Sequence, residues 1–167
     1  ARSMQGDTRW PERFFVEFDL SEECPLSFLD DPAIVLFFQS WAFSLRFGGE
    51  HELAQAAAHL DRQLKINLKP LLKYADRDVE TTADQQEMQR SWQPAVELAA
   101  CARIVAQEWE SPDATLAPLI AGYEHLAPRL RELAAMCDWA AARDTQVRMS
   151  FDLREGGSAS SRPEELR

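Results

Sequence analysis

No apolar run in this chain exceeds six residues, Ala33 to Phe38, whereas a helix needs about 20 to cross a bilayer. No basic segment leads into an apolar stretch and a small-residue cleavage site, so no secretory signal is expected. Phosphate backbones demand clustered Lys and Arg. The formal charge of −10 therefore argues against nucleic acid, and against anionic membrane surfaces as well. Cysteine is scarce, odd in number and unpatterned: Cys24, Cys101 and Cys137. Cys101 and Cys137 sit among apolar residues of helical spacing, where a thiol behaves as a small hydrophobe. Reduced cysteines in a cytoplasmic protein are the expectation.

Recognisable chemistry is equally thin. The sequence contains no GxSxG, GxGxxG or GxxxxGK[ST] run, so neither a nucleophile elbow nor a nucleotide-binding loop is indicated. Asp76, Asp78 and Glu80 hint at calcium, but an EF-hand loop counted from Asp76 places Thr81 where the turn requires Gly. A solvated acidic loop is the better reading. His51, His59 and His125 show no ligand spacing. The first two would lie about 12 Å apart along a helix, too far for one ion, and read as capping or solvent-facing residues. No catalytic residues, no metal and no cofactor are expected.

What the chain does have is aromatic mass, nine Phe and five Trp, and two similar phrases near its ends. Phe14, Val16, Phe18 and Leu20 alternate with polar residues, as do Val147, Met149, Phe151 and Leu153. A period of two marks a half-buried strand. An antiparallel pairing with Phe14 opposite Phe151 sets Val16 against Met149 and Phe18 against Val147. On the other face it places Glu17 opposite Arg148 and Arg13 opposite Asp152, two favourable charge pairs. A small two-stranded antiparallel element is thus expected from the chain's N- and C-terminal segments.

Between the phrases the spacing is helical. Asp31-Pro32 opens a helix that runs to about Phe47, where Gly48-Gly49 stops it. Its apolar residues point in every direction, which predicts a central helix buried on all sides. A second helix starts near Glu50 with a break at Pro70, a third spans roughly 83–109 with Pro94 inside it, and a fourth region ends near Arg143 with Pro118 and Pro128 inside it. Thr82 and Gln85 suggest a capping box. Interior prolines bend helices. The predicted fold class is therefore mainly α: a bent-helix bundle around the buried first helix, with residues 1–154 as a single domain and 155–167 as a flexible tail.

Two features bear on function. Arg62, Lys65, Lys69 and Lys73 recur at steps of three and four, a basic stripe on the second helix. It is either a solvated face paired with Glu80, Asp84 and Glu87, or a docking face for an acidic partner or phosphorylated ligand. The strand pair, including Glu17 and Arg148, offers edges to another chain. The leading expectation is a non-enzymatic protein acting through protein–protein contact, as an adaptor, assembly subunit or immunity-type inhibitor, or as a homodimer. The alternative is a helical pocket for a small apolar ligand beside Trp41, Trp92, Trp109 or Trp139. An enzyme built on carboxylates and one histidine is the third reading.

Overall fold

The expected register joins the two ends of the chain. In a computed structural model describing residues 11–44 and 50–153, the elements in chain order are β1 (Pro11–Phe18), α1 (Ala33–Phe43), α2 (Glu52–Ala58) continuing into a π-helical turn (His59–Gln63), β2 (Tyr74–Asp76), α3 (Thr82–Arg90), β3 (Gln93–Pro94), α4 (Ala95–Glu110), α5 (Leu116–Ile120), α6 (Leu126–Ala141) and β4 (Gln146–Leu153). β1 and β4 are antiparallel, with Phe14 opposite Phe151, Val16 opposite Met149, Glu17 opposite Arg148, Phe18 opposite Val147 and Arg13 opposite Asp152. The flexible tail expected at 155–167 and the helix stop at Gly48-Gly49 lie outside the described residues.

The sheet is larger than a ribbon. β2 runs parallel to β4, with Tyr74 beside Met149 and Asp76 beside Phe151. β3 pairs antiparallel with the start of β4, setting Gln93 beside Val147. The expected two-stranded element is therefore a four-stranded mixed sheet in which β4 is flanked on both sides. The physical reason is burial. Val147, Met149 and Ser150 are fully buried, and backbone polar groups at such depth must find partners.

The apolar face of the β1–β4 pair lies on the helical core. Phe14, Val16 and Phe18 pack against it, and Val147 and Met149 belong to it. Phe18 meets Trp139 edge-on at 5.2 Å, and Phe14 meets Phe28 at 6.0 Å. The most extensive helix pair is α4 with α6. Leu98, Ala102 and Val105 on one, with Leu130, Leu133, Ala134 and Cys137 on the other, are buried, and the alanines allow close approach.

Three expectations are corrected. First, α1 is not buried all round. Val35, Leu36, Phe38, Gln39 and Ala42 face inward, while Phe37 and Phe43 are 44% and 43% exposed. Second, the prolines do not bend long helices. Pro94 precedes the first residue of α4, and Pro118 and Pro128 each fall at the third residue of α5 and α6. Amide groups in a first turn have no intrahelical acceptor, so proline there removes no hydrogen bond. Each proline opens a new, separate helix. Third, the second helix ends at Gln63 instead of continuing through Leu71.

Residues 64–73 follow as an irregular segment, beginning with Lys65 in the left-handed region at φ 59°. Its inward carbonyls are served by side chains from other elements. Gln39 donates to Leu71 O at 2.9 Å, Gln93 donates to Pro70 O at 2.9 Å, and the Cys101 thiol donates to Asn67 O at 3.4 Å. Leu68 and Leu71 are buried beneath these bonds.

The helix starts show local chemistry at work. The Asp31 carboxylate accepts from Ala33 N at 3.1 Å. His51 caps α2 through Nδ1, which accepts from Leu53 N at 3.1 Å, as expected of a capping histidine. The capping box sits one residue earlier than its sequence signal, between Thr81 and Asp84. Between α5 and α6, Gly122 adopts φ +95°, a turn that side-chain-bearing residues resist.

Candidate binding surface

On the sheet face away from the apolar core, a charged network joins β1, β4 and the residue following β2. Glu17 Oε1 accepts from Arg148 Nε at 3.0 Å and from the Ser150 hydroxyl at 3.2 Å, while Oε2 accepts from Arg77 at 2.8 Å. Each guanidinium also covers an aromatic ring. Arg77 lies 4.2 Å from the Phe15 centroid and Arg148 4.4 Å from that of Trp92. Partial burial pushes the Glu17 pKa up, but the hydrogen bonds and charges of Arg77 and Arg148 win and hold it below the ordinary range. Every strong acceptor here is engaged internally. Glu17 and Arg148, the expected partner-binding residues of the strand pair, bridge β1 and β4.

The other four sequence-picked cations behave differently. Arg62 lies in the π-helical turn, and Lys65, Lys69 and Lys73 lie in the irregular segment. They do not form a stripe on one helix, because the helix has ended before the first lysine. All four are exposed. Among the described residues none of them forms an ion pair, so the expected pairing with Glu80, Asp84 and Glu87 is absent. Asp84 is spent on its own cap, accepting from Glu80 N and Thr81 N, and Glu87 pairs with Arg90 at 2.8 Å. The arginines elsewhere are mostly neutralised. Arg129 is paired with Asp30 and Glu132, Arg131 with Glu110, Arg143 with Glu22, and Arg103 with Asp138. Lys65, Lys69 and Lys73 are also the only lysines in the sequence.

Lys69 and Lys73 border a depression of about 650 Å³ together with Arg90, Glu87 and Ser91 of the α3 end and Phe43, Leu72 and Tyr74. The Tyr74 ring packs on Phe151 at 5.6 Å. Burial raises its hydroxyl pKa, partly offset by a hydrogen bond with Ser40. Glu87 was expected near these cations, whereas Arg90 and Tyr74 were not singled out by sequence. They reach the lysines only because β2 lies against β4 and α3 packs on β2.

The four tryptophans have different immediate neighbours. Trp41 stacks on His51 at 4.1 Å. Trp109 is buried edge-on to Phe38 at 5.5 Å and donates to Tyr123 O at 2.8 Å. Trp139 is covered by Arg143 at 4.3 Å and Phe18, and Trp92 lies under Arg148. Trp109 borders a depression of about 760 Å³ whose other walls are Glu110, Glu124, Ala127, Pro128, Arg131 and Glu132.

His59 is not solvent-facing. Its Nε2 lies 2.8 Å from Asp113 Oδ2, and Asp113 Oδ1 accepts from Thr115 N and Leu116 N at the start of α5. The hydrogen bond with His59 and those backbone donors hold the Asp113 carboxyl below its usual range. Burial raises the Cys101 and Cys137 thiols to about 11 and about 12, so both stay protonated near neutral pH. Among the described residues no group of three His, Cys, Asp or Glu is placed to hold a metal ion, and no helix is long and apolar enough to cross a membrane. Compared with known proteins, the chain matches no family model, no curated protein and no solved structure.

Proposed function

We propose that this protein acts by contact with a partner protein in the cytoplasm, as an adaptor, assembly subunit or immunity-type inhibitor, and that residues 62–73 form the contact. The observation that carries this reading is the unpaired basic segment on an otherwise acidic molecule. Exposed ion pairs are individually weak, so leaving four cations unpaired costs the fold little. A local positive patch does, however, steer an acidic partner into register and speeds encounter.

The test is affinity capture from the cells of origin with the parent and with the quadruple variant R62S/K65S/K69S/K73S, circular dichroism confirming that both are folded. An acidic protein should be recovered with the parent and lost with the variant or at high salt. Equal recovery by both proteins removes the proposal. A second reading, a homodimer, draws on β1. It is the terminal strand of the sheet, and among the described residues no strand pairs with its outer side, so a second copy could add a strand there. Light scattering across a concentration series tests it.

A further inference from the structure

We infer that the depression between the irregular segment and α3 receives an acidic polypeptide segment that carries an apolar anchor side chain, an inference that rests on the protein-binding reading above. Its rim and its walls have different chemistry. Lys69, Lys73 and Arg90 stand around it, while Phe43, Leu72 and the Tyr74 ring supply apolar wall. At about 650 Å³ it falls within the ordinary range for binding pockets, roughly 300–1,000 Å³.

Charge complementarity selects the occupant. The two lysines are ion-free point charges on flexible stems, suited to carboxylates that approach at varied angles. Arg90, the one guanidinium on the rim among the described residues, is already engaged by Glu87. Among the described residues that leaves no free planar fork for the bidentate grip that favours phosphate. The apolar wall gives a bare anion nothing to bury against, whereas a Leu or Phe flanked by Glu satisfies wall and rim together. The Arg90–Glu87 pair is largely exposed on both sides and therefore weakly held, so carboxylates of the incoming segment compete with Glu87 for Arg90.

The probe is a fluorescein-labelled peptide of glutamates around one central phenylalanine, titrated with the full chain and followed by anisotropy. Binding should weaken about tenfold or more in K69E/K73E and less than about threefold in R62E/K65E, charges lying outside the depression. Replacing the peptide's glutamates by glutamine, or its phenylalanine by alanine, should each weaken binding. Glu87→Gln should tighten it. The inference is overturned if the parent does not bind the peptide, if K69E/K73E binds it as well as the parent, or if the alanine peptide binds equally. Tighter binding of a phosphoserine peptide lacking glutamate overturns it in favour of a phosphate site. The same two double variants separate this inference from the broader one. If the partner captured from cells is lost with R62E/K65E but kept with K69E/K73E, protein binding stands and the depression is the wrong address. If neither variant loses it, both fall.

Discussion

The α4–α6 pair and the stretch from His59 to Lys73 both bury apolar side chains, yet they are held by different means. In α4 and α6 the backbone serves itself, and the side chains are free to fill space: Leu98, Ala102, Leu130 and Leu133 are buried with no polar duty. In the irregular stretch the backbone serves itself only in part, through turns such as Leu71 N to Leu68 O at 3.0 Å, since the helix ends at Gln63 and Lys65 reverses the chain's handedness. Gln39, Gln93 and Cys101 reach in from α1, β3 and α4 to satisfy it. Regular structure thus spends apolar area, and irregular structure spends buried polar side chains. The exposed outer side of the irregular stretch is left free to carry the unpaired cations.

The largest expected effect tests the first half of this contrast. Leu130→Ala, at a fully buried site in α6, should destabilise the protein by about 2–5 kcal/mol, measured by urea denaturation. A cost under about 1 kcal/mol would mean that the α4–α6 contact is not the stability centre.

Next is Gln93→Leu, which keeps apolar bulk but removes the donor to Pro70 O. The orphaned carbonyl should cost about 1–3 kcal/mol. Hydrogen exchange should quicken in residues 64–73 before it does in α6. Uniform quickening across the molecule would show that the irregular stretch does not depend on borrowed donors.

Acid gives the smallest and most local effect. Because the folded pKa of Glu17 is lowered, its contribution is fully present above the ordinary value of 4.5 and is lost as pH falls through the folded value. Below that range the Arg77 and Arg148 bridges weaken, and amide exchange in β2 should rise ahead of exchange in α4. Glu17→Gln should abolish this pH dependence. A variant that keeps the parent's acid profile would place the responsible carboxylate elsewhere.

Much of the sheet was legible in the sequence because two independent signals agreed. The period of two in each phrase chose the faces, and the Glu17–Arg148 and Arg13–Asp152 oppositions chose the register among those faces. β2 and β3 were not legible. They are three and two residues long, too short for alternation to show, and β3 contains a proline. The helix positions were broadly readable, but proline was read as a bend where it marks a start, since sequence alone does not give a proline's place in its turn.

The basic residues illustrate the same limit for the candidate surface. Their steps of three and four are helical only if the helix persists, and no local signal announces the π-helical turn that ends it. The cations could be read from sequence as exposed. Glu87 could be read as their neighbour, but Arg90 and Tyr74 could not, because a parallel strand pairing brings them together.

The place of β4 at the middle of the sheet has a consequence for biosynthesis. A ribosome makes β1, β2 and β3 first, and all three wait for β4 to bond with. At about 5–20 residues per second, β1 leaves the exit tunnel several seconds before its partner, with Phe14, Val16 and Phe18 uncovered. The helices can form locally as they emerge, but the sheet can close only when its central strand arrives. Chaperone contact during synthesis should therefore concentrate on the β1 segment and end with the release of residues 146–153.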